Sequence, residues 1–327
     1  MTPDHPDHAE PSNTPPTADR RALLAGIGGL AAGALLVGSN AAHAGPLNPP
    51  AGPITSTPGP EPRIAISPTN TPGDTDALFV VSQPGSYYLS SNITGVAGKH
   101  GIKVTSSGVT IDLNGFDMAG VSNTGSFHGI VCNTAASVHI RNGSVRRWGG
   151  SGIDLTGTFG SVVTDIRAID NINYGIRGSN RTVIRNCVAT GNAGTGLRTA
   201  FGGVIEHCLA ATNGLHGIEL STGCYVFTNQ SFSNGTIGEG AGIFAAGSGN
   251  RIEGNKCDGA DKGIEVVSSG NFIVRNTCTG NAVNWVLAGN NIFGPILDRT
   301  TPSSAAVSGS SASSTLGSTD ANANFSY

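Results

Sequence analysis

Gly175-Ile176-Arg177-Gly178 and Gly217-Ile218-Glu219-Leu220 are two copies of one short phrase, Gly-Ile-x-Val in idealised form, that occurs eight times between Gly101 and Gly263. The other copies begin at Gly101, Gly129, Gly152, Gly196, Gly242 and Gly263, with successive glycine spacings of 28, 23, 23, 21, 21, 25 and 21. A period this short and this regular marks a solenoid, in which each repeat packs only on its neighbours.

A second apolar pulse follows inside each period, as in Val109-Thr110-Ile111, Val138-His139-Ile140, Val183-Ile184 and Val204-Ile205. An asparagine usually comes next (Asn114, Asn142, Asn186, Asn229, Asn255, Asn276), with Asp165 and His207 at the matching place in two repeats. These asparagines read as one ladder of stacked side-chain amides. A third pulse, such as Val188, Leu209 or Cys257, precedes a Gly- and Asn-rich bend. Three strands and three bends fit into about 22 residues, whereas a helical repeat needs 33 or more. No stretch after residue 45 carries a capped 3.6-residue apolar period, so the fold class is all-β.

Over residues 63–297 the pattern resembles the right-handed parallel β-helix proteins of the pectate-lyase-like superfamily. The resemblance implies about nine to ten stacked rungs with inward Ile, Leu and Val. It also implies an irregular first turn over Asp76–Gly95 and a polysaccharide site on the outer face of the first strand.

Ahead of the repeats, Arg20-Arg21 precede a 17-residue apolar run, Ala22–Gly38, and Ala42-His43-Ala44 supplies a small-x-small cleavage pattern. Residues 1–44 therefore resemble a twin-arginine-type signal peptide, with export to the periplasm or beyond and no membrane span after cleavage. Residues 45–62 form a Pro-rich linker, and residues 298–327 a Ser/Ala/Gly-rich C-terminal tail whose last three residues are candidates for docking. In the last copy of the phrase, Asn284-Trp285-Val286-Leu287, glycine is lost; Trp285 and Phe293 are expected to cover the final rung.

The chain carries 18 basic and 21 acidic residues; without residues 1–44 the counts are 16 and 17. Such a balance supplies no basic field for nucleic acid. The six cysteines show no zinc spacing: Cys187 and Cys208 fall at equivalent places, as do Cys257 and Cys278, and Cys132 replaces an inward valine. Buried free thiols in core columns are expected, with disulfides between stacked neighbours as the alternative, and the residues imply no cofactor and no metal.

Because Ile and Val of the phrase point inward, x points outward. Rung by rung x reads Lys103, Val131, Asp154, Arg177, Arg198, Glu219, Phe244, Glu265 and Leu287, so four consecutive charges occupy the centre. The residue before each glycine forms a second column that includes His100, His128, Ser151, Tyr174, Thr195 and His216. Residues 117–127 and 232–240 read as longer bends, and Arg146-Arg147-Trp148 as another whose indole faces a groove.

Two functions fit this face. One is a non-catalytic exported or envelope protein that binds a polysaccharide or cell-surface glycan, with Trp148, Asp154 and Glu219 among the contacts. The other is a polysaccharide lyase or related enzyme acting on a uronate polymer. There Arg177 and Arg198 would hold the carboxylate, His216 would be the base and Tyr174 the acid. The chain lacks the paired-aspartate motifs of polygalacturonases, the acidic cluster of calcium-dependent pectate lyases and the Asp-Pro-His signature of mannuronan epimerases. Asp154 and Glu219 stand three rungs apart, about 14 Å, too far for a glycosidase pair.

Overall fold

The computed structural model describes residues 63–237, 239–298 and 318–326; residues 1–62, where a signal peptide and a linker are expected, lie outside the described residues. All regular structure among them is strand, arranged as ten rungs. One sheet holds a single strand from each rung, from Ala77–Val81 to Val283–Leu287. A second, 20-stranded sheet holds the remaining strands and wraps the other sides. The named strands pair in parallel, so each residue faces its equivalent one rung away.

That register builds the core. Ile102, Ile130, Ile153, Ile176, Leu197, Ile218, Ile243 and Ile264 stack in one fully buried column. Each side chain removed from water contributes about 1.5–3 kcal/mol, and stacking like on like leaves no volume mismatch between rungs. The glycine of the phrase has a steric cause. A Cβ at Gly101, Gly152, Gly175 or Gly217 would lie 2.5–2.7 Å from the carbonyl oxygen of the next rung's own first residue. In the last rung no further strand of this sheet follows among the described residues, and the position is Asn284.

Every rung bends at residues in the left-handed region. At the second corner these are Asn114 (φ 54°), Asn142 (φ 61°), Asp165 (φ 56°), Asn186 (φ 53°) and His207 (φ 52°). The single asparagine column expected from sequence is therefore two columns. These five occupy the strained corner, which short polar side chains tolerate. Asn229, Asn255 and Asn276 stand one place later and form a buried ladder, each Nδ2 donating to the next Oδ1. Two further ladders run through Asn171, Asn192, Asn213 and Asn234, and through Asn250, Asn271 and Asn291. Each ladder also takes the backbone N–H of the rung below, satisfying donors that the bend removes from the sheet.

All six cysteines are buried and unbridged. Cys257 and Cys278 are in register, and Cys187 and Cys208 continue downward the column of Asn229 and Asn255. At the C-terminal end, Asn324–Ser326 forms a strand against both Thr277–Thr279 and Ile296–Asp298, and Asn324 tops the ladder. Trp285 packs on the core and donates from Nε1 to Ser326 Oγ at 2.6 Å, whereas Phe293 is half exposed. The last rung is thus covered by Trp285 with the returning chain.

Candidate functional site

The central row of the first sheet is assembled by register alone. Asp154 faces Arg177, Arg177 faces Arg198, Arg198 faces Glu219 and Glu219 faces Phe244. At the end of the column the expected Leu287 is replaced by Val286, which pairs with Glu265, while Leu287 pairs with the inward Val266. The phrase Asn284-Trp285-Val286-Leu287 itself puts Val286 at x, so the register continues into the last rung without a shift.

The four charges are not equivalent. Asp154 is almost fully buried; its Oδ1 accepts the Thr156 N–H at 2.9 Å, and its Oδ2 lies 3.5 Å from Arg177 Nη1 and 3.9 Å from His128 Nε2. Its oxygens are thus directed at neighbouring groups of the chain rather than at a ligand, contrary to the expected contact role. Arg198 Nε donates to Glu219 Oε1 at 3.0 Å, and Thr195 Oγ1 donates to Glu219 Oε2 at 3.5 Å. Arg177 stacks on Tyr174, its guanidinium carbon 5.1 Å from the ring centre, and its Nε is buried with no hydrogen-bond partner. The two arginines are thus neighbours in register, and each meets a carboxylate on the side away from the other.

The bend column shows a device that spacing did not disclose. His100 Nδ1 accepts the backbone N–H of His128 at 2.9 Å, His128 Nδ1 that of Ser151 at 2.8 Å, and His216 Nδ1 that of Ala241 at 3.0 Å. A backbone N–H can only donate, so each Nδ1 carries a lone pair and the neutral ring bears its proton on Nε2. Burial lowers the pKa of all three. His100 and His128 stack with centroids 5.2 Å apart, and His216 stacks on Phe244 at 4.4 Å. In this arrangement His216 offers a donor and no free lone pair, so the base role expected of it is not supported. Tyr174 is held protonated, its pKa raised first by burial and then by the charge of Glu219.

Trp148 is the clearest departure from expectation. It is 1% exposed and donates from Nε1 to the carbonyl of Met118 at 3.1 Å. Arg147, in the left-handed region at φ 59°, turns the chain so that the indole enters the core. It fits beneath Gly101, Gly120 and Gly129, where an added Cβ would come within 2.9 Å of it. No sugar reaches it. The bend expected over 117–127 likewise begins as strand, Asp117–Ala119, with the loop starting at Gly120.

Exposed aromatic surface lies instead at the corner after the first strand. Phe159 is 46% and Phe201 52% exposed. Neither belongs to a repeated phrase; their only sequence signal is a large apolar residue next to a glycine, in Phe159-Gly160 and Phe201-Gly202.

With this geometry in view, residues 85–225 match the family model for a right-handed beta helix region. The chain folds as a right-handed parallel β-helix. Among solved structures it is similar to the A-modules of the Azotobacter vinelandii mannuronan C-5 epimerases AlgE6 and AlgE4, at 15% identity in both cases. The first alignment covers 70% of this β-helix chain and 86% of the other, with a TM-score of 0.41; the second covers 71% and 88%, with 0.39. The Dettilon tailspike protein gp208 is similar at 16% identity over 69% of this chain and 56% of its own, with a TM-score of 0.46. No curated protein matches in sequence. Among the described residues no group of three or more His, Cys, Asp or Glu is placed to hold a metal ion, and no helix is long and apolar enough to cross a membrane.

Proposed function

We propose that this β-helix is a glycan-binding protein whose first-sheet outer face takes an acidic polysaccharide without cleaving it. One observation carries the reading: at the centre of that face Arg177 and Arg198 stand in register, each meeting a carboxylate only on its far side, beside a His216 ring whose Nδ1 is taken and whose Nε2–H donates. A donor-rich strip with two guanidinium groups in register suits carboxylate and hydroxyl oxygens, because guanidinium takes carboxylates through paired N–H groups. Lyase chemistry also requires a base to remove the proton alpha to the uronate carboxylate, and the lone pair of His216 is occupied by the Ala241 N–H. Export belongs to the same proposal; it rests on Arg20-Arg21 and Ala44, and mass analysis of the secreted protein should find Gly45 first.

Calorimetric titration with polygalacturonate, alginate and hyaluronan, followed by absorbance of the mixtures for unsaturated ends, tests the reading. The expected result is salt-sensitive binding of at least one polymer with no new absorbance. Unsaturated product would establish the lyase alternative, and no binding to any uronate polymer would remove the proposal.

A further inference from the structure

The corner bordering the charged row on its C-terminal side carries Phe159, Arg181 and Phe201, none of which the row itself uses. Phe159 is in register with Asn180, and the Arg181 N–H donates to the carbonyl of Phe201 at 2.7 Å, so the three residues occupy successive rungs of one corner. The Arg181 guanidinium carbon lies 4.6 Å from the centre of the Phe159 ring. Beyond it, the Phe201 ring lies against the next rung at Gly223, where an added Cβ would be 3.9 Å from the Phe201 Cε2. Gly223 is left-handed at φ 67°, so glycine is kept there by the backbone rather than by the ring. Two residues, Thr199 and Ala200, lie between Arg198 and Phe201, so at most about 10 Å separates their Cα atoms and the corner adjoins the row.

Two large apolar side chains at about half exposure, two rungs apart on one corner, are an unfavourable use of surface unless something covers them. The guanidinium between them forms no ion pair with the described residues, unlike Arg177 and Arg198, which each meet a carboxylate. The corner thus offers apolar faces about two rungs, or 9.6 Å, apart with an available cation between them.

We propose that Phe159, Arg181 and Phe201 form a stacking subsite for the pyranose rings of a uronate polymer, with Arg181 taking a ring carboxylate. This rests on the acidic-polysaccharide reading above and adds to it the side of the row along which the chain of sugars lies. The C–H face of a pyranose covers an aromatic ring while its carboxylate reaches the neighbouring guanidinium, a combination that a neutral polymer does not satisfy. The polymer would run along the rod axis, across the strands.

The experiment is calorimetric titration of the full mature chain with uronate oligomers of defined length, comparing wild type with F159A/F201A, F159W/F201W and R181Q. The double alanine variant should lose at least tenfold in affinity at every salt concentration with an unchanged melting temperature, and the double tryptophan variant should retain or gain affinity. R181Q should weaken binding most at low salt and reduce its salt dependence. Wild-type binding with F159A/F201A unaltered would overturn this subsite and leave the acidic-polysaccharide reading standing. Absence of wild-type binding would remove both.

Discussion

Arg177 and Arg198 face each other in adjacent rungs, and each is tied to a carboxylate on the side away from the other: Arg177 to Asp154 at 3.5 Å and Arg198 to Glu219 at 3.0 Å. Like charges opposite each other in a sheet are destabilising, and the flanking carboxylates offset only the outer half of that repulsion. An anion between the two guanidinium groups would relieve the remainder.

Replacing Arg177 and Arg198 together by Gln should therefore abolish binding of an acidic polysaccharide while changing stability little. The Arg198–Glu219 pair is partly exposed and contributes about 0–1 kcal/mol; Asp154 is buried, but without Arg177 it keeps the bond from the Thr156 N–H and has His128 Nε2 at 3.9 Å. Calorimetry and a thermal melt of the same sample check both halves. A large fall in melting temperature with binding intact would assign the row to structure.

The histidine column sets a pH dependence. Folded His100, His128 and His216 all have pKa values below the ordinary 6.5, mainly because burial disfavours the imidazolium. Nearby charges modify this: His128 and Lys103 lower His100 while Asp76 and Asp74 raise it. Asp154 raises His128 and Arg177 lowers it; Glu219 and Glu265 raise His216 and Lys262 lowers it. Above 6.5 both folded and unfolded chains are neutral at these positions and the stabilisation is complete. As pH falls below 6.5 the unfolded chain takes up protons first, and stability declines toward the folded pKa values. The melting temperature should drop as pH falls below about 6.5, and replacing the three histidines by Gln should reduce that slope, His139, whose pKa burial also lowers, supplying part of the remainder. A flat wild-type profile would show that the rings are not held neutral.

Gly175→Ala should destabilise the solenoid by about 1–3 kcal/mol, since overpacking forces a backbone shift where the new Cβ would meet the Gly196 carbonyl oxygen at 2.6 Å. Asn284→Ala, at the equivalent place in the last rung, meets no such carbonyl and should cost only the bond that its Oδ1 accepts from Asn281 Nδ2, about 1 kcal/mol or less. Urea unfolding of the two variants compares them directly. Equal costs would count against the carbonyl contact as the reason for the repeated glycine.

Six thiols should be recovered by titration after denaturation without reductant, and few or none should react in the native state. Burial raises the pKa of Cys132, Cys187, Cys224 and Cys278, so their thiolate populations are small near neutral pH. Recovery of two or fewer would mean that neighbouring rungs are cross-linked.

By itself the sequence determined the solenoid, the inward Ile column and the outward order Asp154, Arg177, Arg198, Glu219. The physical reason is that a parallel stack repeats one geometry. Period-2 alternation decides which residues of a strand face in, and a constant period decides which residues stand opposite one another. Only the tertiary structure decided the corners, where alternation stops and a left-handed residue redirects the chain. Arg147 sends Trp148 into the core beneath three glycines, while Phe159 and Phe201, without any repeated signal, remain outside. The same limit applies to the histidines: spacing placed His216 near Glu219, but its proton is positioned by the Ala241 N–H one rung on. A three-dimensional neighbour 25 residues away thus determines whether that imidazole presents a lone pair or a donor.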